Sequence, residues 1–167
     1  MQIRRLTVAN AFACRKLRLE GLRTHPTAFT SSIEEAEAAP LVDTRTRLAS
    51  PRQLFWGAFE AGALCGMVGL ELEARVKVRH KGTVVGMVVA AGHAGRGIGR
   101  ALLEALVREA LARRLELLLL TVTEGNDRAC RLYQRAGFRS FGIEPQGIKV
   151  DGVPYAKNHM VLEFAKQ

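Results

Sequence analysis

The sequence predicts a mixed α/β fold, and three observations carry that reading. Residues 84–113 begin as a continuous apolar run rich in Val, the mark of a strand buried on both faces. They break at Gly92, Gly95, Gly97 and Gly99 and resume as a helical pattern with Ile98, Ala101, Leu102, Ala105 and Leu106 on one face. Residues 126–138 form a second, shorter helical pattern that ends in Gly137-Phe138. Between and around these stretches the apolar period changes, from helical before Gln53 to strand-like after it.

The order strand, glycine-rich turn, helix makes an anion site. The first N–H groups of a helix have no intrahelical partner, and the helix dipole is positive at that end. Glycine lets the backbone approach a phosphate closely, and Arg96 and Arg100 add positive charge. A P-loop is excluded, because no Gly-Lys-Ser/Thr follows the glycines. The dinucleotide fingerprint G-x-G-x-x-G fails in register: counted from Gly95 its last position is Arg100, and from Gly97 it is Leu102. Ala94-Gly95-Arg96-Gly97-Ile98-Gly99 resembles instead the Arg/Gln-x-x-Gly-x-Gly/Ala pyrophosphate loop of the GNAT superfamily of acetyl-CoA-dependent N-acetyltransferases. The departure is Ala94, which stands where that motif has Arg or Gln. Asn126, Ala129, Leu132, Tyr133, Gly137 and Phe138 match every marked position of the superfamily's later motif, N-x-x-A-x-x-L-Y-x-x-x-G-F. The resemblance is close over about residues 84–144 and holds elsewhere in outline.

In chain order, residues 2–8 alternate as a first strand. Asn10 is expected to cap a helix through Leu22, with Phe12, Leu17 and Leu22 among its apolar residues. His25-Pro26-Thr27 ends it. The run Thr30-Ser31-Ser32, with Glu34 and Glu35 after it, resembles a capping box opening a second helix, which Pro40 divides in two. Strands are expected over 54–60, 64–73, 82–90 and 115–122, then over 138–143 and 155–164 around an Asp151-Gly152 hairpin. The order is one strand, two or three helices, three strands, helix, strand, helix, two strands. The resemblance implies a single domain over 1–167, with a mixed, mostly antiparallel sheet carrying helices on both faces.

It also implies a chemistry. Pantetheine is expected along the central strand near Met87 and Val89, where a free backbone N–H can face the thioester oxygen. The pyrophosphate is expected on the amides of Gly95, Gly97 and Gly99, with Arg96, Arg100 and Asn126 as further cofactor contacts. Tyr133 matches the general-acid tyrosine: a phenol is protonated at neutral pH and can donate to a departing thiolate. The base is expected among the strand-end carboxylates Glu71 and Glu73, which share a face at i and i+2, and Glu73 is named for it. Bland readings stand beside each. Tyr133 also fits a buried stripe with Ala129, Leu132 and Ala136, Asn126 also fits a helix N-cap, and Glu73 also fits a solvated strand end. Acceptor selection is expected in residues 24–51 and in the terminal hairpin, neither of which carries a readable motif.

Bulk properties agree. The 167 residues are 48% apolar, enough for one sizeable core. No run approaches a membrane span, and no apolar segment follows Arg4-Arg5 as in a secretory signal. Cys14, Cys65 and Cys130 have neither metal-type nor paired spacing, so free thiols in the cytoplasm and no metal are expected. The net charge of +9 suits an anionic cosubstrate such as acetyl-CoA. One Trp, two Tyr and seven Phe are thin for stacking nucleic-acid bases, and the arginines are dispersed. The expected activity is acetyl transfer from acetyl-CoA to a primary amine of a small molecule or protein, in a chain that can form a homodimer. The alternatives are an acetyl-CoA-binding sensor of the same fold and, behind it, a basic nucleic-acid-binding domain.

Overall fold

The computed structural model describes residues 1–165. Its elements follow the expected order. Strand β1 (Gln2–Arg5) leads into α1 (Ala11–Thr24), α2 (Ile33–Ala38) and α3 (Leu41–Ala49). Then come β2 (Gln53–Glu60), β3 (Ala63–Leu72), β4 (Lys81–Val89), α4 (Ile98–Ala112), β5 (Leu117–Thr123), α5 (Asp127–Arg135), β6 (Arg139–Val150) and β7 (Val153–Glu163). The seven strands form one sheet in the order β1-β2-β3-β4-β5-β7-β6. Every pairing is antiparallel except β4 with β5.

Local chemistry explains most boundaries. Ser32 caps α2 with a complete capping box: its hydroxyl accepts from the Glu35 N–H at 3.1 Å, and the Glu35 carboxylate accepts from the Ser32 N–H at 2.8 Å. Pro40 then separates α2 from α3. Asn10 does stand at the N-cap of α1, but its side chain turns back to accept from the Thr7 N–H at 3.0 Å. The two-residue turns Ala61-Gly62 and Asp151-Gly152 hold both residues at positive φ, as tight hairpins require. The buried face of α1 is Ala11, Cys14, Leu17, Gly21 and Leu22, and the apolar Phe12 is 72% exposed. One expectation is corrected. β6 does not stop near Ile143: bulges between Ser140 and Gly142 and between Glu144 and Ile148 carry it past Pro145 to Val150.

The two sheet faces bury separate cores. One packs Leu54, Val68, Leu70, Val84, Leu118 and Leu120 beneath Ile98, Leu102 and Leu106 of α4 and beneath Tyr133 after α5 begins. The other packs Phe55, Phe59, Met67 and Val88 beneath Cys14 and Leu17 of α1. β4 contributes Val84 to the first and Val88 to the second, so the central strand is buried on both faces as its composition predicts.

Candidate active site

β4 and β5 run together for only three residue pairs, from Lys81 opposite Leu117 to Thr83 opposite Leu119. Beyond Thr83 the strands part, while β4 stays paired to β3 as far as Val89. The parting coincides with a bulge. Gly69 faces Val85 and Met67 faces Val88, so Gly86 and Met87 stand opposite Val68 alone. Gly86 sits at φ 61, a conformation that glycine adopts without strain. The N–H of Ala90 bonds back to Cys65 on β3 at 2.9 Å. Successive strand amides point to opposite edges, so those of Val89 and Met87 point into the gap that β5 has left.

The glycine turn lies at the mouth of this gap, where β4 ends. Gly95 and Gly97 have φ of 84° and 78°, and a Cβ at either would meet nothing within 4 Å. Backbone conformation therefore selects glycine there, not crowding. Gly97 is the N-cap of α4, no side chain caps that first turn, and it holds no acidic residue. Its leading amides are left to an external acceptor. Gly99 has a different reason. A Cβ there would stand 3.2 Å from the Leu132 side chain, so Gly99 lets α5 lie close against α4.

The arginines are placed differently from the backbone. Arg96 Nη1 lies 2.8 Å from the Glu60 carboxylate at the end of β2, and His93 Nε2 lies 3.5 Å from the same oxygen. These contacts tie the turn to β2. Arg100 pairs with Glu104 one turn along the exposed side of α4, at 2.7 Å. Ala94 is exposed.

α5 shows why its sequence pattern has that form. Asn126 Oδ1 accepts from the Ala129 N–H at 3.2 Å, a true N-cap that leaves the amide NH₂ available. At the other end the Gly137 N–H bonds to the Gln134 carbonyl and the Phe138 N–H to the Tyr133 carbonyl, both at 3.0 Å. Gly137 has φ 95, and the two bonds make a Schellman turn. The hydrophobic contact that accompanies such a turn is here aromatic: the Tyr133 and Phe138 rings meet edge to face with centroids 5.9 Å apart. Tyr133 is 7% exposed, and burial alone pushes its phenol up to about 12. It remains a proton donor at any physiological pH.

The expected carboxylates separate. Glu71 lies in β3 opposite Thr83, on the face that holds Met67, and accepts from Gln53 Nε2 at 3.1 Å. Glu73 lies past the end of β3 and is exposed. That position is level with Lys81, where β4 and β5 are still paired, and six residues of β4 at roughly 3.3 Å each separate it from Met87, about 20 Å. The bulge at Gly86 and the contacts of Glu60 were not anticipated. A glycine inside an apolar strand signals the first, whereas no local pattern signals the second.

The profile of the Acetyltransferase (GNAT) family matches residues 19–138. The chain belongs to the GNAT family. Solved structures of the same fold include a ribosomal-protein-alanine N-acetyltransferase from Brucella melitensis, 21% identical, covering 98% of this chain and 100% of its own, with a TM-score of 0.80. A GNAT acetyltransferase from Streptococcus pneumoniae is 26% identical, with 98% and 99% covered and a TM-score of 0.78. A Salmonella typhimurium protein solved with its cofactor acetyl-CoA is 20% identical, with 100% and 95% covered and a TM-score of 0.84. As a GNAT member the chain is an acetyl-CoA-dependent acyltransferase. Its acetyl-CoA is a cosubstrate, and the parted strands with the unpartnered α4 amides fit that ligand's linear pantetheine and its pyrophosphate.

Proposed function

We propose that the chain transfers an acetyl group from acetyl-CoA directly to a primary amine of a small molecule or a protein. The observation that carries this reading is the gap between β4 and β5. It has two β4 amides on one wall, the uncapped start of α4 at its mouth, and α5 packed beside α4 through Gly99 and Leu132. The Val89 or Met87 amide polarises the thioester carbonyl. The amine nitrogen attacks the carbonyl carbon, an N–C bond forms, and the C–S bond breaks. The departing thiolate takes its proton from Tyr133. The ammonium proton leaves, directly or through water, to one of the two carboxylates named from the sequence, Glu71 or Glu73. Glu71 has the shorter path, because it lies inside β3 beside the parting strands. Gly95, Gly97 and Gly99 supply pyrophosphate donors and Asn126 its free amide, with Arg96 and Arg100, each paired with a carboxylate, beside them.

Cys130 is not assigned a covalent step. It lies half-buried on α5, and the four histidines of the chain lie on other elements. All three cysteines are free thiols, in keeping with a reducing cytoplasm. Thiol release from acetyl-CoA, followed across amino acids, polyamines, aminoglycosides and peptide amino termini, tests the reading. Release that depends on an amine and yields its acetyl derivative supports it. Acetyl-CoA binding with no amine-dependent release supports a sensor instead.

A further inference from the structure

The face opposite α4 and α5 carries two arginines that no described carboxylate pairs. Arg47, on α3, holds its guanidinium carbon 5.4 Å from the centroid of the Phe55 ring. That ring lies on the bulge itself. It is the group nearest to a Cβ built at Gly86, at 3.9 Å, and would clash at 2.5 Å with one built at Gly69 across the ladder. The two glycines let Phe55 rest on the backbone where β4 leaves β5, and Arg47 lies over Phe55. Arg18, on α1, donates to Ser31 Oγ at 2.9 Å, in the segment joining α1 to α2. Arg18 and Arg47 stand on α1 and α3, which pack against each other, and burial, with the charge of Arg47 adding to it, holds the Arg18 guanidinium below its usual range.

Other arginines of this region are answered. Arg15 gives its guanidinium to the carbonyls of Glu37 and Ala39, at 2.8 and 2.9 Å, and so ties α1 to the α2–α3 joint. Arg23 pairs with Glu37. Among the described residues no carboxylate lies within ion-pair distance of Arg18 or Arg47. Both are half-buried. Placing like charges together at reduced solvation is unfavourable unless an anion joins them. The described residues supply no such anion, and the two arginines sit on the face of the sheet opposite the α4 amides, beside the strand that parts.

We propose that Arg18 and Arg47 bind a carboxylate carried by the acceptor, so that the substrate class is amino-acid-like: a primary amine with a carboxylate a few bonds away. Guanidinium groups suit this, because each presents paired N–H donors that match a carboxylate in two-point geometry. The carboxylate held over Phe55 anchors one end of the acceptor while its amine reaches the thioester at the bulge. Ser31 fixes one end of the Arg18 guanidinium through its hydroxyl. This inference rests on the N-acetyltransferase reading above.

The test compares kcat/KM at saturating acetyl-CoA for amino acids, for their carboxamides, and for the corresponding amines without the carboxyl group. The wild type should favour the carboxylate-bearing member of each set by about ten- to hundredfold, the worth of a charge-assisted contact. Arg47→Gln and Arg18→Gln should each cut that preference about tenfold, mainly through KM, with acetyl-CoA affinity by calorimetry close to wild type. Should loss of the Ser31 contact keep Arg18→Gln from folding, Arg47→Gln decides alone. Equal efficiency on acids and amides overturns the proposal, as does a preference that survives Arg47→Gln. A rise in the acetyl-CoA Kd of Arg47→Gln with unchanged acceptor preference assigns the pair to the cofactor and also overturns it. No turnover of any amine would instead refute the N-acetyltransferase reading.

Discussion

Tyr133 owes its place to the turn that follows it. Gly137 at φ 95 allows the Phe138 N–H to reach the Tyr133 carbonyl, and Phe138 then packs on the Tyr133 ring. Tyr133→Phe keeps the ring and the packing and removes the proton donor. Single-turnover acetyl transfer should fall by ~10²–10⁴-fold, with melting temperature and acetyl-CoA affinity near wild type; a rate within about threefold would make the hydroxyl dispensable. The raised phenol also has a pH consequence. In the unfolded chain it ionises near its ordinary value, 10.0, and in the folded chain at about 12. Its contribution to stability is therefore present below pH 10 and is lost as pH rises through that window. Phenolate absorbance should show a late-titrating tyrosine that disappears in Tyr133→Phe. Gly137→Ala places a residue at positive φ, 3.2 Å from the Leu162 side chain. It should lower stability by ~1 kcal/mol or more, a fall of about 2–4 °C in Tm or greater; an unchanged Tm would show that the turn tolerates a side chain. For the base, Glu71→Gln should reduce turnover more than Glu73→Gln, and the reverse order would return the role to the exposed carboxylate.

At the scale of elements, the proposed anion site is the end of β4 together with the start of α4. Gly97→Glu would put a side chain and a negative charge at the N-cap, in a backbone conformation held at φ 78. Acetyl-CoA binding should be lost in a variant that still melts cooperatively, and calorimetry with unchanged affinity would move the pyrophosphate elsewhere. Ala94→Arg restores a donor beside the same amides and should tighten acetyl-CoA binding by roughly 0.5–1.5 kcal/mol; weaker binding would show the turn fitted to a small residue. Elements whose ends are set by backbone chemistry were legible in the sequence. Ser32 with Glu35, Pro40, Asp151-Gly152 and Gly137 each act within a few residues of themselves, so local pattern suffices. The length of β6 was not legible, because bulges let a strand pass Pro145 and Gly147, which read locally as breakers.

At the scale of the molecule, the order of elements and the mixed sheet were legible from alternating periods and two spaced motifs, and the family match agrees with them. What was not legible depends on contacts distant in sequence. Arg96 meets Glu60 across 36 positions, and β4 parts from β5 after three paired residues, a matter of register between strands that α4 separates. In the proposed reading, the cofactor side and the acceptor side of the site rest on placements of this kind. The measurement that tests this account most directly is a rapid-quench single turnover, with the enzyme preloaded with acetyl-CoA and mixed with an accepted amine. The account predicts that thiol release and acetylated amine appear at one rate, with no acetyl group on the protein at any time. An acetylated protein that forms and then decays, or thiol release that leaves the amine unmodified, would contradict it.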